Sequence, residues 1–324
     1  MTEIGSEFWN IPVSEQDNGL FPTTANWFLS GRCALQSIIR DWGGTSIALP
    51  SWLCESMIKP FADAAVMVEF YPALAPTREI HTDGILIMDY FGYVQNVELE
   101  GYTGTVIRDV THSVFSKTYS DADYYFGSLR KWAGFWTGGY AWAKDGRVLP
   151  TAQEPDLCYT ALRKRAMEEK AAYMEGTIKD KVFLETFGKA DQILEQCGPL
   201  PAASRDVALA KRLDVACIRE KRRTNAAWLL ESLSDIAVFP QLGDQDCPLF
   251  VPIRVPGGKR DALRRALISQ AVYCPVHWPL SEYHKVDQET MDLYAEELSL
   301  VCDQRYTVED MDRVVEIIKS FWKE

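Results

Sequence analysis

Residues 104–131 read GTVIRDVTHSVFSKTYSDADYYFGSLRK and contain two short apolar runs, each followed by polar side chains. The first run is typical of a buried strand ending at Asp109, and residues 124–126 are typical of another strand. Open α/β sheets place ligand-binding groups where strands end, so Asp109 is a candidate site residue. A cap of a turn, or an ion pair with Arg108, is the alternative interpretation of this acid.

The second run leads into Ser128-Leu129-Arg130-Lys131 and then into an aromatic stretch that begins at Trp132. Aromatic neighbours partly remove water from a lysine amine, which suits a nucleophile. A surface lysine whose stem packs on aromatic rings is the alternative. Lys131 is therefore a candidate catalytic residue, with the Ser128 hydroxyl as a candidate anion ligand.

Upstream, residues 31–42 (GRCALQSIIRDW) have apolar positions at helical spacing, and Ser30 directly precedes them. The N–H groups at a helix start, together with the guanidinium of Arg32, form a natural cradle for a phosphate. Ser30, Gly31 and Arg32 are thus candidate phosphate ligands, although a simple helix cap would also explain them.

Strand and helix patterns alternate through the first half of the chain. Strands are predicted at 45–50, 65–71, 84–90, 104–109, 124–126 and 139–142, and helices at 31–42 and 52–62. Such alternation predicts an α/β fold, a mostly parallel sheet covered by helices.

The pattern changes near Pro150. Residues 156–197 and 204–234 have helical periodicity, and shorter elements follow: strands at 248–255 and 272–278, and helices at 259–270 and 307–323. We predict a large domain over 1–215, with an N-terminal arm, and a small C-terminal α+β domain over 216–324.

Composition narrows the class of protein. The chain has 324 residues, of which 47% are hydrophobic, and a formal net charge of -12. This charge disfavours nucleic acid and anionic membranes as partners, and the sequence has no apolar run of about 20 residues. The acidic N-terminus does not resemble a signal peptide, and the eight cysteines include no CxxC pair. We expect a cytoplasmic protein with reduced cysteines and no metal site.

Taken in order, the Ser30–Arg32 segment, the Asp109 strand end and the Ser128–Lys131 segment resemble the DegT/DnrJ/EryC1/StrS family of pyridoxal-phosphate-dependent aminotransferases. The resemblance extends over residues 25–145 and reaches the C-terminal part only in outline. It implies fold type I, the aspartate aminotransferase-like fold, with pyridoxal 5'-phosphate (PLP) as cofactor and an active site at a homodimer interface.

The resemblance also implies a role for each matching residue. Lys131 would form the internal aldimine and shuttle the proton, and Asp109 would pair with the pyridine nitrogen. Thr111 would lie against one ring face and His112 near the ring hydroxyl. Ser30, Gly31, Arg32 and Ser128 would bind the phosphate. For His112, a buried structural imidazole is the alternative.

The other ring face and the substrate side are less well defined. Trp52 is a candidate for stacking on the ring, although strict alignment puts Cys54 at that position. Tyr90, Phe91 and His277 are candidate substrate contacts. A strand that ends in ordinary aromatic packing is the alternative for Tyr90 and Phe91, and a plain strand and turn is the favoured alternative for His277. The chain also lacks the asparagine-bearing loop that follows the lysine in the family, and Arg222–Asn225 receives no role.

The implied activity is transfer of an amino group from an amino-acid donor such as glutamate to a keto substrate, in this family a nucleotide-linked keto sugar. Two alternatives stay open. One is other PLP chemistry at Cα, as in a racemase, decarboxylase or lyase. The other is a non-catalytic sensor or assembly protein with the same fold.

Overall fold

The computed structural model describes residues 3–74, 80–94, 97, 99–116, 121–152 and 154–323. In chain order, the strands are β1 (Ile4–Gly5), β2 (Asn26–Phe28), β3 (Ser46–Pro50), β4 (Met67–Tyr71), β5 (Gly84–Met88), β6 (Thr105–Asp109), β7 (Tyr124–Ser128), β8 (Gly139–Ala143), β9 (Phe250–Arg254), β10 (Val272–Tyr273) and β11 (Glu297–Val301). The α-helices are α1 (Gly31–Trp42), α2 (Glu55–Asp63), α3 (Leu157–Met174), α4 (Phe183–Leu194), α5 (Ser204–Ala210), α6 (Val215–Leu233), α7 (Arg260–Ser269), α8 (Gln288–Glu296) and α9 (Val308–Phe321).

The main sheet has the strand order β2-β8-β7-β6-β5-β3-β4. The strands from β4 to β7 are parallel, β8 joins β7 in antiparallel orientation, and the edge strand β2 is antiparallel to β8. β5 and β3 are buried along their whole length, as expected for strands covered on both faces. The predicted α/β class, with a mostly parallel sheet, is confirmed.

The chain passes from β3 outward to β4 and then returns to the other side of β3 with β5, so the direction of winding changes there. Ligands of open α/β sheets bind beside such a point, outside the carboxyl ends of the strands. Asp109 ends β6 and Ser128 ends β7 at this edge.

Helix α1 starts at the same edge because β8 lies directly against its first turn. A Cβ atom on Gly139, the first residue of β8, would lie 2.1 Å from the carbonyl oxygen of Ser30. Glycine is therefore required at this position, and the close approach fixes the N-terminus of α1 beside the end of β7. At its other end, α1 stops at Gly43, which has a left-handed φ of 66°.

The C-terminal part has its own apolar core, built from α6, α7, α9 and the antiparallel pair β9–β11. Ile4 of the N-terminal arm belongs to this core, since β1 pairs with β10 in parallel. The predicted division between residues 215 and 216 falls at the start of α6 and stays a prediction.

Several elements differ from the sequence prediction. The helical stretch 156–197 contains two helices, α3 and α4, and the stretch 204–234 is interrupted before Asp214, which caps α6. The predicted strand at 272–278 is reduced to β10. β1 and β2 were not predicted, because two- and three-residue strands are formed by long-range pairing and leave little periodicity. α8 and β11, of nine and five residues, were not predicted either.

Candidate functional site

A cavity of about 200 Å³ lies at the carboxyl edge of the main sheet. Its lining contains most of the residues predicted for the cofactor: Ser30, Gly31, Arg32, Asp109, Thr111, Ser128 and Lys131. The other lining residues are Cys54, Ser56, Met57, Met88, Phe126, Arg130 and Leu194. Three segments that are up to about a hundred residues apart thus meet at one site, which we call the sheet-edge cavity.

One part of this cavity is formed by the start of α1 and the end of β7. The Ser30 side chain caps α1 by accepting from the Cys33 N–H, so the first turn points its free N–H groups outward. A Cβ on Gly31 would lie 3.3 Å from the Cβ of Ser128, which shows how closely the two segments approach. This arrangement of N–H and hydroxyl groups suits an anion.

Two guanidinium groups lie beside these hydroxyls. Arg32 donates from Nη1 to the carbonyl oxygen of Leu194 at 3.1 Å, at the end of α4. Arg130 pairs with Asp191 at 3.2 Å, while its buried Nε has no hydrogen-bond partner among the residues that the structure describes. A buried N–H without a partner is costly, and an anion in the cavity would satisfy it.

Asp109 supplies a buried carboxylate to the same cavity and is only 3% exposed. Its Oδ1 accepts from the backbone N–H of Thr111 at 2.8 Å. Burial raises the pKa of Asp109 to about 6, although the Thr111 hydrogen bonds and the charge of Lys131 act in the opposite direction. Such a carboxylate favours a cationic partner, for example a protonated pyridine nitrogen.

Lys131 and His112 are in direct contact, with 3.0 Å between Nζ and Nε2. Nδ1 of His112 accepts from the N–H of Phe91 at 3.3 Å, so the neutral ring carries its proton on Nε2 and donates to Nζ when Lys131 is a neutral amine. Burial, with the charge of Lys131, holds the pKa of His112 well below its usual value. His112 therefore stays neutral and orients the lysine from behind the cavity.

The candidate ring-stacking and substrate residues lie in an aromatic cluster outside the lining of the sheet-edge cavity. Trp52 is fully buried, stacks on Tyr90 at 5.0 Å between ring centroids, and donates to the His277 carbonyl oxygen at 2.8 Å. Phe91 packs against both His112 and His277. The residue of this region that does line the cavity is Cys54, so the geometry favours Cys54 over Trp52 as the neighbour of a bound ring.

His277 reaches the neighbourhood of the lysine from the C-terminal part. Its Nδ1 lies 2.8 Å from the hydroxyl of Ser299, which donates to the buried carboxylate of Glu297 at 2.5 Å. Burial lowers the pKa of His277, and its contact with Glu297 opposes this effect. His277 is held by these polar contacts and by packing on Phe250, with the ring 6.2 Å from that of His112.

Sequence reasoning missed two kinds of residue at this site. Arg130 lies inside the quoted SLRK segment, and its place beside Lys131 was the available signal. A second cavity also borders Lys131, and its arginines come from α6, α7 and the loop after β11. Nothing in the local sequence around these arginines indicates a site.

Metal clusters, membrane-spanning helices and disulfides are three other features to consider in the described part of the chain. There, three or more His, Cys, Asp or Glu side chains nowhere gather in a way that could hold a metal ion. Among the same residues, no helix is long and apolar enough to cross a membrane. The eight cysteines, all within the described ranges, carry free thiols.

Comparison with known proteins gives matches in structure alone. No protein-family model and no curated protein matches the sequence. A DegT DnrJ EryC1 StrS aminotransferase from Brucella abortus superposes with a TM-score of 0.60 at 15% identity, covering 92% of this chain and 85% of that protein.

Two further solved structures have the same fold. DesI, solved in the presence of its TDP-sugar product, gives a TM-score of 0.60 at 15% identity and covers 91% of this chain and 79% of its own. Spr1654 from Streptococcus pneumoniae, in its PLP-form, gives a TM-score of 0.62 at 13% identity. The match covers 96% of this chain and 92% of that chain. The chain therefore has the fold type I architecture of the DegT/DnrJ/EryC1/StrS aminotransferases over nearly its whole length.

Proposed function

We propose that this protein is a PLP-dependent aminotransferase that moves an amino group from glutamate to a nucleotide-linked keto sugar. One observation carries the proposal: Lys131 and Asp109 line a single cavity together with the capped start of α1 and two arginines. A non-catalytic phosphate-binding protein would need the helix start and the arginines, but neither the acid nor the lysine.

The residues around Gly31 fit the phosphate of PLP. Ser30 and Ser128 offer hydroxyls, the first turn of α1 offers N–H groups, and the unsatisfied Nε of Arg130 lacks a partner among the described residues. A phosphate dianion accepts several charge-assisted hydrogen bonds at once, which these donors supply.

The remaining groups fit the ring and the reaction. PLP supplies the electron sink that makes bond changes at Cα feasible. Asp109 would hold the pyridine nitrogen in its protonated form, and that charge would stabilise the buried carboxylate. Lys131 would hold the cofactor, and its free amine would move the proton. His112 keeps Nζ directed into the cavity through its Nε2.

The nature of the substrate is supported by a solved structure with this fold, and the assembly by the family resemblance alone. DesI carries a TDP-sugar product, which supports a nucleotide-linked sugar as the amino acceptor. We further propose that the protein works as a cytoplasmic homodimer with the active site at the interface. Its free thiols agree with a reducing compartment.

Absorption spectroscopy tests the proposal. The purified chain with added PLP should show a visible band that is absent from Lys131→Ala and present in Lys189→Ala, a matched control in which an exposed lysine of α4 is removed. Glutamate should bleach the band by converting the cofactor to its aminated form. A Lys131-dependent band that does not respond to glutamate or other amino donors would contradict transamination and favour other chemistry at Cα. If no band depends on Lys131, the proposed function is wrong.

A further inference from the structure

A second cavity, of about 380 Å³, shares Lys131 with the sheet-edge cavity. We call it the inter-lobe cavity, because its walls come from the N-terminal arm, from α4 with the turn before it, and from the C-terminal part. Its charged lining residues include Lys131, Lys181, Arg222, Arg264, Asp303 and Arg305. Lys131 thus stands between two cavities, and the proposed function accounts for one of them.

The lining of the inter-lobe cavity is strongly cationic. Five lysine and arginine side chains face two carboxylates, in a chain whose formal net charge is -12. Two of the cations are neutralised locally: Arg305 forms a two-pronged pair with Asp303, and Lys181 pairs with Glu3. Arg222 and Arg264 have no ion-pair partner within the described ranges. A concentration of uncompensated positive charge in an acidic protein favours an anionic ligand.

Arg222 gives a second, independent indication. The side chain is fully buried, and it donates from Nε to Gln304 at 2.7 Å and from Nη1 to the Leu249 carbonyl oxygen at 2.9 Å. Its guanidinium lies 4.4 Å from the centre of the Trp132 ring. The remaining nitrogen, Nη2, is buried and has no hydrogen-bond partner among the described residues. A guanidinium held this firmly with one unused donor group is arranged for an oxyanion.

The N-terminal arm completes the wall of this cavity. Arg305 donates to the backbone carbonyl oxygens of Ser6 and Glu7, and its guanidinium lies 3.9 Å from the centre of the Phe8 ring. Glu3 is held by ion pairs with Lys170 and Lys181. The Arg305 contacts tie the arm to the C-terminal part, and the Glu3 ion pairs tie it to α3 and the turn before α4. The cavity is therefore a defined structural feature of the folded chain.

We propose that the inter-lobe cavity binds the anionic end of the substrate that reacts at Lys131, with Arg222 Nη2 and the Arg264 guanidinium as the ligands of a carboxylate or phosphate. This inference rests on the proposed function for the chemistry at Lys131, while the anion site itself rests on the cavity. The two sources of the shared oxyanion chemistry are the carboxylates of an amino-acid donor and the phosphates of a sugar nucleotide.

Calorimetric titration with two unreactive probes, glutarate and inorganic pyrophosphate, tests the site on the full chain with saturating PLP. We compare Arg264→Gln with Arg265→Gln, because both arginines are exposed on α7 and only Arg264 lines the cavity. A lost charged hydrogen bond contributes roughly 1.5–3 kcal/mol. Arg264→Gln should therefore weaken binding of the preferred probe about 10-fold or more, and Arg265→Gln should leave it unchanged.

Arg222→Lys should weaken binding of the same probe at least as strongly, since lysine keeps the charge but loses the planar fork. Thermal unfolding checks that this variant is folded. Preferential binding of glutarate identifies the donor as the source, and preferential binding of pyrophosphate identifies the acceptor. Either result supports the site.

The anion site is disproved if neither probe binds, or if the Arg264 and Arg265 variants weaken binding equally. A repeat without PLP separates the two proposals. Anion binding that persists in a protein with no Lys131-dependent band would leave the site standing and disprove the aminotransferase.

Discussion

The sheet-edge cavity and the inter-lobe cavity meet at Lys131 but are assembled in different ways. The first takes its polar groups from three segments, each at a strand end or a helix start of the main sheet. The second takes its cations from α6, α7, the turn before α4 and the loop after β11. Groups placed by one sheet appear in the sequence as ordered motifs, whereas groups placed by the packing of separate parts leave no such signal.

Electrostatics also separates the two cavities. The sheet-edge cavity contains a buried acid whose pKa is raised, together with cations that surround the proposed phosphate position. In the inter-lobe cavity, Asp303 is already matched by Arg305, which leaves Arg222 and Arg264 for a ligand. The first is suited to a molecule with a cationic and an anionic end, and the second to an anion.

The largest effects on stability and activity are expected when the acids at the ends of two neighbouring strands, Asp89 and Asp109, are each replaced by asparagine. Asp89 directly follows β5, and Asp109 ends the neighbouring strand β6. Both carboxylates are buried, but of the two only Asp89 has an ion pair, with Arg108 at 2.6 Å. Burial raises the pKa of Asp109 from 3.8 to about 6, so the folded chain retains a proton in this range that the unfolded chain releases. The free energy of unfolding of the PLP-free protein therefore falls as the pH rises through this window.

Asp109→Asn should accordingly make the PLP-free protein more stable at about pH 8, by up to about 3 kcal/mol, and less so at about pH 5. It should also lower aminotransferase activity about 100-fold or more, because the pyridine nitrogen loses its counter-ion. Asp89→Asn should destabilise the protein at both pH values by about 3 kcal/mol, since Arg108 loses the ion pair. Urea unfolding at the two pH values measures the free energy of unfolding of each variant. Equal changes in the two variants would contradict the distinction between an unpaired and an ion-paired buried acid.

The sequence was sufficient for the sheet-edge cavity because its signals are local. Helix α1 has the predicted bounds 31–42, and Asp109 and Ser128 end strands close to where the apolar runs predicted them. The order of the motifs then indicated the resemblance to the aminotransferase family, and the structure confirms the fold that this resemblance implied. The roles of the individual residues stay predictions.

Arg222 shows why the other cavity was not predicted. It begins the Arg222–Asn225 segment, for which the resemblance gave no role. It reaches the lysine region because α6 packs beside the start of β9, where Arg222 donates to the Leu249 carbonyl oxygen. Trp52 and Cys54 illustrate a smaller difficulty. Two residues in a short loop after β3 differ in direction, and only the fold determines which one faces the cavity.

Variants of these two loop residues sharpen the comparison between core and cavity. Trp52→Phe removes the buried hydrogen bond to the His277 carbonyl oxygen and should lower the free energy of unfolding by about 1–3 kcal/mol. The position of the PLP absorption band should not change. Cys54→Ala should alter stability by less than about 1 kcal/mol and weaken PLP binding about 3- to 10-fold, because the lost contact is with the ring. The reverse pattern would identify Trp52 as the ring neighbour.

The smallest effect is expected from glycine substitutions in two helices, which test how tightly the phosphate position is built. In Gly31→Ala the new Cβ would lie 3.3 Å from Ser128 Cβ, so the start of α1 or the end of β7 must shift by a few tenths of an ångström. We expect the affinity for PLP, measured by absorbance titration, to fall a few-fold with little change in stability.

Gly188→Ala is the matched control, since Gly188 is exposed within α4 and has open space around it. It should raise stability by about 0.5–1 kcal/mol and leave PLP affinity unchanged. Equal PLP affinity in both variants would show that the close contact between α1 and β7 does not set the phosphate position.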